Sequence, residues 1–151
     1  ICRKVGIPVI HVYHSISFSN IGLIQEFRPR TEHELELIEG KKGDEFFKDL
    51  QISEEDYIIK KVRYSAFING SSSLDPLLRG LKRDSFIICG VATDICVATT
   101  AMDAMMLDYK VFFLSDLTGS FNEDRHKSAL TVLDSHFAKV VTFDEVKKEL
   151  L

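Results

Sequence analysis

One stretch of the sequence, residues 84–107, constrains the fold of this chain more than any other. It begins with an apolar run at 86–89 whose length and composition are typical of a strand buried on both faces. Gly90 ends the run, and a helix rich in small residues begins at Asp94, with Thr93 as a candidate N-cap. The stretch therefore predicts a strand, a turn and a helix in direct succession.

Cys96 falls in the first turn of that predicted helix. Unpaired backbone N–H groups and the positive end of the helix dipole favour thiolate over thiol at such a position. The same N–H groups can hold an oxyanion, so one segment could supply both a nucleophile and an oxyanion hole. The alternative is a buried cysteine that packs the helix against a sheet, because free cysteine is among the most buried residue types.

The rest of the chain alternates apolar strands with helices. Strands are predicted at 7–14, 56–64, 110–116 and 139–143, and helices at 44–50, 74–82, 124–137 and from 144 onward. Residues 2–6 indicate the last turn of a helix, and residues 15–42 predict a long loop that could act as a lid. The alternation favours βαβ units, and hence a three-layer α/β/α domain with a mostly parallel sheet.

The composition fits one globular domain and argues against several classes of function. The 151 residues are 45% hydrophobic and 28% charged, which is enough for a sizeable core. The net charge of −4, without a basic cluster, argues against nucleic-acid binding. No apolar run approaches the roughly 20 residues of a membrane helix, so no membrane role is expected. Three cysteines suit a reducing compartment, and we expect a cytoplasmic protein.

Two segments resemble one known family. The sequence GVATDICV at 90–97, followed by Thr-Ala at 100–101 and Asp-Ala at 103–104, resembles the nucleophile segment of the isochorismatase-like cysteine hydrolases. The sequence KVRYSAF at 61–67 is similar to another segment of that superfamily, which includes nicotinamidases, N-carbamoylsarcosine amidases and ureidoacrylate amidases. The resemblance implies the Rossmann-like, isochorismatase-like topology.

The resemblance also implies a role for each matched residue. Cys96 corresponds to the nucleophile and Lys61 to the catalytic lysine, whose charge stabilises the thiolate and the oxyanion. Without the resemblance, Lys60 and Lys61 are two ordinary lysines near a strand end. The backbone N–H groups of Ala92 and Cys96 are the expected oxyanion hole, next to a cis peptide bond between Val91 and Ala92.

The expected function is cysteine-dependent hydrolysis of a small amide-type C–N substrate through a thioester. Tyr64 and Phe67 are the expected substrate-binding residues. Two alternatives stay open: hydrolysis of a vinyl ether such as isochorismate, and an inactive relative that acts as a binding subunit. The resemblance implies a homo-oligomer with a small-molecule substrate, and no cofactor is expected.

No metal site is expected in this sequence. His11 and His14 are three apart on a predicted strand and so lie on opposite faces. The metal-binding cluster of nicotinamidases is not reproduced here, so these histidines are core or surface residues in our interpretation.

One catalytic group that the resemblance implies has no match in the sequence. It is an aspartate base on a strand that precedes Gly6 in family order and normally lies between the strands at 8–14 and 85–90. We therefore expect a single domain, residues 1–151, without its first strand and most of its first helix. Three explanations for the missing aspartate and strand stay open. The sequence is part of a longer protein, another subunit supplies the strand, or the domain is a remodelled, inactive one. Neither Asp94 nor Asp116 is a convincing replacement.

Four further residues have side chains capable of chemistry or of binding, beside Cys89 in the strand that precedes the Cys96 helix. Cys89 is expected to be buried in its strand and inert. Arg28 and Arg30 could bind a substrate carboxylate, although solvated loop charges are more common. His126 and His136 are predicted on a surface helix, and no chemistry is assigned to them.

Overall fold

The computed structural model describes residues 1–17, 19–24, 37–41, 43 and 45–151. Five strands are present in this part of the chain: β1 (Ile10–His14), β2 (Tyr57–Lys61), β3 (Ser85–Val91), β4 (Lys110–Gly119) and β5 (Lys139–Val141). Four α-helices connect or follow them: α1 (Leu74–Gly80), α2 (Ala98–Met106), α3 (Glu123–His136) and α4 (Phe143–Leu150). A 3₁₀ helix covers Cys2–Val5, and a π-helical turn covers Thr93–Val97.

All strand pairs between these elements are parallel, and the predicted α/β class is confirmed. The strands form two sheets, one with the order β1-β2 and one with the order β3-β4-β5. In the first sheet His14 is the register partner of Lys61, so both strands end at the same level. In the second sheet the register between β3 and β4 shifts at 88–90, where Cys89 lies. Parallel strands that end together gather their following loops at one edge.

One hydrophobic core holds the helices against the strands. Its fully buried members include Phe113 of β4, Leu133 of α3, and Ala101 and Ala104 of α2, each at 0% exposure. Alanines at these helix positions allow the backbone of α2 to approach the sheet closely. The core therefore fixes where α2 begins, and so where the preceding π-helical turn lies.

Two local predictions were wrong. The described residues at 45–50 form turns and extended chain rather than a helix, because the ring of Phe46 packs on His11 and Tyr13 of β1. Cys89 is exposed rather than buried, since it lies at the irregularity of β3 and β3 is an outer strand of its sheet. Packing around its sulfur nevertheless raises the pKa of the Cys89 thiol.

Among the helices of the described residues, none combines the length and the hydropathy that a membrane crossing requires.

Candidate functional site

The candidate site lies where β1, β2 and β3 end. Lys61 is the last residue of β2, and its carbonyl accepts a hydrogen bond from the N–H of Ser15 at 3.1 Å. Cys96 lies on the π-helical turn that follows β3. Residues 35 positions apart in sequence are therefore brought together by the ends of parallel strands.

The central contact is between Lys61 and Cys96. Lys61 Nζ lies 3.3 Å from Cys96 Sγ and donates a hydrogen bond to the carbonyl of Arg63 at 2.9 Å. Lys61 is only 5% exposed. Burial lowers the pKa of the Lys61 amine, and the neighbouring sulfur of Cys96 opposes that shift. The pair is thus a partly desolvated amine in direct contact with a thiol.

The backbone on both sides of Cys96 folds back onto Ala92. The Val91–Ala92 peptide bond is cis. The carbonyl of Ala92 accepts hydrogen bonds from the N–H groups on either side of Cys96, those of Ile95 at 3.1 Å and Val97 at 3.2 Å. Ala92 and Cys96, the two predicted oxyanion-hole residues, are therefore close together on one turn.

Thr100 joins the two segments that carry the lysine and the cysteine. Its hydroxyl donates to the carbonyl of Cys96 at 2.6 Å and accepts from the N–H of Ala66 at 3.1 Å. Thr100 is buried at 6% exposure. Thr100 is part of the motif matched above, but no contact was predicted for it, although its i+4 spacing from Cys96 places both on one helical face.

Thr93 is not the N-cap that the sequence predicts. The π-helical turn has Ala92 at its N-cap position and no side-chain capping bond. Thr93 is fully buried, and its Oγ1 lies 2.9 Å from Nδ1 of His126 on α3. His126, to which the sequence assigned no chemistry, is half-buried on α3 and makes this contact. No local pattern links residues 33 positions apart, so sequence spacing could not show this contact.

The two predicted substrate-binding aromatics lie in different surroundings. Tyr64 is half-buried, and its ring centroid lies 6.0 Å from that of His14 at the end of β1. Phe67 is 7% exposed and packs in the hydrophobic core, with ring centroids 5.8 Å from Phe86 and 5.2 Å from Tyr109. Phe67 therefore packs in the core, because its segment turns inward after Tyr64, and its substrate contact stays a prediction.

The other polar candidates are engaged elsewhere. Asp94 accepts hydrogen bonds from Ser120 and from Arg125 Nε, the latter at 2.6 Å. Asp116 accepts from the N–H of Phe143 at 2.8 Å. Arg63 donates to the carbonyls of Asn20 and Val62 and so braces a loop.

No group of three or more His, Cys, Asp or Glu side chains among the described residues is arranged to hold a metal ion. His11 instead contacts Asp56, with Nε2 2.9 Å from Oδ2. Arg28 and Arg30 lie outside the described residues.

Fold and site together define a class: an α/β protein with a cysteine on the first turn after a strand and a buried lysine against its sulfur. In chemical terms, such a pair can act as a nucleophile with an electrostatic partner.

Comparison with known proteins narrows this class. The family described as the isochorismatase domain matches residues 1–145. Nicotinamidase 3 of Arabidopsis thaliana is 30% identical over 100% of this chain and 75% of its own length. The crystal structure of a cysteine hydrolase from Pseudomonas syringae pv. phaseolicola 1448A superposes with a TM-score of 0.89 at 27% identity, over 98% of this chain and 74% of that one. N-carbamoylsarcosine amidase from Thermoplasma acidophilum gives a TM-score of 0.75 at 27% identity, over 93% of this chain and 75% of that one.

This chain therefore belongs to the isochorismatase family, a family of hydrolases.

Proposed function

We propose that this protein hydrolyses a small amide-type C–N bond by covalent catalysis at Cys96. The observation that carries the proposal is the contact of 3.3 Å between Cys96 Sγ and the buried Nζ of Lys61. Two of the similar proteins, a nicotinamidase and an N-carbamoylsarcosine amidase, are named for amide hydrolysis, which supports the bond type.

In the first half-reaction the Cys96 sulfur attacks the amide carbonyl carbon. A C–S bond forms, and the carbonyl π electrons move to the oxygen. The N–H groups of Ala92 and Cys96 donate to that oxyanion, and the Lys61 ammonium lowers the energy of the negative charge that passes from sulfur to oxygen. When the tetrahedral intermediate collapses, the C–N bond breaks, the nitrogen leaves with the proton that the thiol gave up, and a thioester stays on Cys96.

In the second half-reaction water attacks the thioester carbonyl. The same N–H groups hold the second oxyanion, the C–S bond breaks, and the free carboxylic acid leaves with the thiol regenerated. Tyr64 borders the site from the end of β2, and we assign it a contact with the part of the substrate beyond the amide.

Asp94 and Asp116 are not the bases in this scheme. Both carboxylates accept hydrogen bonds from groups away from the sulfur: Ser120 and Arg125 for Asp94, and the Phe143 N–H for Asp116. We therefore assign neither carboxylate as the base that takes the proton from the Cys96 thiol.

The test is ammonia release from a panel of small primary amides and carbamoyl compounds, beginning with nicotinamide and N-carbamoylsarcosine. The purified protein is compared with Cys96→Ala, and with Cys89→Ala as a matched control. We expect Cys96→Ala to lose activity by about three orders of magnitude or more, and Cys89→Ala to keep it.

Full activity in Cys96→Ala would exclude the covalent mechanism. A wild-type protein that is alkylated at Cys96 but releases no ammonia from any amide would exclude the amidase function. Hydrolysis of isochorismate by both wild type and Cys96→Ala would favour non-covalent vinyl-ether chemistry instead.

A further inference from the structure

Residues in the first turn of α3 contact the π-helical turn, Thr93–Val97, which carries Cys96. Two consecutive residues of the π-helical turn, Thr93 and Asp94, make side-chain contacts with two consecutive residues of α3, His126 and Arg125. Ser120, just before α3, also donates to Asp94. These contacts lie outside the groups that the proposed mechanism uses.

The contact between Thr93 and His126 is the more deeply buried of the two. Thr93 is 0% exposed, and His126 Nδ1 at 2.9 Å is the one recorded partner of its hydroxyl among the described residues. The Asp94–Arg125 ion pair is more open, with side-chain exposures of 13% and 46%. Exposed ion pairs are screened and fix geometry weakly, whereas a buried hydroxyl that loses its partner must move to find another.

The position of Thr93 bears directly on Cys96. Thr93 begins the turn three residues before Cys96, and no side-chain capping bond holds the start of that turn. Cys96 Sγ and Lys61 Nζ are 3.3 Å apart. A shift of the turn by a fraction of an ångström would weaken this contact. The contact with His126 supports the first residue of the turn from the side.

We propose that His126 is a positioning residue, which acts through the Thr93 hydroxyl to hold the cysteine turn against Lys61. This inference rests on the proposed function for its kinetic consequence, since the residue touches neither the sulfur nor a substrate. Its geometric consequence, the placement of the sulfur beside the amine, is independent of the substrate.

The chain offers a conservative replacement and a matched control. In His126→Asn the amide group lies where the Cγ and Nδ1 atoms of the imidazole lie, so the bond to Thr93 can be kept. His126 also borders an open cleft of about 210 Å³, lined with Thr118, Gly119, Ser120, Asn122 and Glu123, which can accept a changed side-chain shape. His136, at the other end of the same helix, is exposed and distant in sequence from the turn, so His136→Ala serves as control.

The experiment measures kcat and KM on the best amide of the panel, and the rate of iodoacetamide alkylation at Cys96 by peptide mass mapping. We expect His126→Ala to lower kcat by about 10- to 100-fold with KM within about twofold, and to slow alkylation. His126→Asn should recover most of both quantities, and His136→Ala should match wild type.

A second pair of variants tests the route through Thr93. Thr93→Val removes the hydroxyl but keeps the shape of the side chain, so it should reproduce the kinetic loss of His126→Ala. The double variant should be no worse than either single one, because both remove the same interaction. This arm also decides the matter if His126→Ala does not fold.

Wild-type kcat and alkylation rate in His126→Ala would overturn the proposal. Equal losses in His126→Ala and His126→Asn, in proportion to a lowered Tm, would also overturn it, because they indicate a general structural role. If the wild-type protein hydrolyses no amide, the proposed function fails, and the alkylation rates alone still decide the role of His126.

Discussion

At the scale of single residues, the buried amine of Lys61 destabilises the fold, and its charge serves the proposed reaction. Its amine is buried, and no carboxylate among the described residues is recorded as its partner; its contacts are a carbonyl and the sulfur of Cys96. A buried cation without an ionic partner destabilises the fold. Residues of this kind persist at sites where their charge is used in a reaction.

Replacing Lys61 with Met should separate stability from activity. We expect Lys61→Met to keep or raise the free energy of unfolding at pH 7, and to lower amide hydrolysis by about 100-fold or more. The pKa of the Lys61 amine is lowered in the folded state, whereas the unfolded chain keeps this amine protonated up to about pH 10.4. The charged amine therefore destabilises the folded wild type, and this cost disappears as the amine loses its proton at higher pH. The stability advantage of Lys61→Met should therefore shrink as pH rises towards that value. Urea unfolding at several pH values, with a parallel rate assay, measures both effects.

Lys60 provides the control for this variant. Its Nζ pairs with the exposed Glu39 at 2.7 Å, so Lys60→Met should change stability little and leave hydrolysis intact. Loss of activity in Lys60→Met, with Lys61→Met unaffected, would reverse the assignment of the two lysines.

The positions of some site residues follow from local sequence patterns, and the contacts of others do not. Lys61, Cys96 and Ala92 lie in short motifs whose geometry is set locally by a strand end and a helical turn. The packing of Phe67 in the core and the side-chain partner of Thr93 were not predicted. Both depend on contacts with residues far away in sequence.

At the scale of secondary-structure elements, helix α3 places one fully buried side chain, that of Leu133, in the core. Leu133 is 0% exposed in the core, while its neighbour Val132 is 46% exposed. Leu133→Ala should therefore lower the free energy of unfolding by about 2–5 kcal/mol. Val132→Ala, the matched control, should change it by less than about 0.5 kcal/mol. Similar losses in the two urea unfolding curves would show that α3 is not docked through Leu133.

A second element-scale prediction concerns Asp56, which joins three segments. It accepts hydrogen bonds from Arg3 of the 3₁₀ helix and from the N–H of Ser53, and it contacts His11 of β1. The Arg3 guanidinium is the main cause of the lowered pKa of this carboxyl. Asp56→Asn should therefore lower Tm at neutral pH.

The pH dependence of that loss has a definite sign. A carboxyl with a lowered pKa stabilises the fold above its unfolded value of about 3.9, and the contribution is lost as pH falls towards its folded value. The difference in Tm between wild type and Asp56→Asn should thus narrow in acid, as followed by circular dichroism. A difference that stays constant or widens below pH 4 would contradict the assignment.

Element boundaries show where local sequence patterns stop being sufficient. Strand–helix alternation predicted each of the five strands and the four α-helices at nearly their observed positions. The helix predicted at 44–50 failed over its described part, because the packing of Phe46 on His11 and Tyr13 outweighs local helical preference. The π-helical form of the turn was also not predicted. Hydrogen bonds from the hydroxyls of Thr99 and Thr100 to carbonyls of the turn accompany this form, and hydrophobic periodicity does not reveal them.

At the scale of the whole molecule, the parallel α/β class followed from the order of the elements, but the strand partners did not. The described strands pair as β1-β2 and as β3-β4-β5, in two sheets. Alternation predicts parallel strands with helical crossovers, yet it does not determine which strands are neighbours. The site is assembled from both sheets, because Lys61 is the last residue of β2, Cys96 lies on the turn that follows β3, and the two side chains are in contact.

The central claim for the whole molecule is that Cys96 carries a covalent intermediate. The most direct measurement is acid quenching of the protein during turnover of its best amide, followed by intact mass and peptide mapping. The structure predicts a mass increase equal to the acyl part of the substrate, located on the peptide that contains Cys96 and absent in Cys96→Ala. Hydrolysis at the full rate with no acyl group on Cys96, or with the group on Cys2 or Cys89, would contradict it.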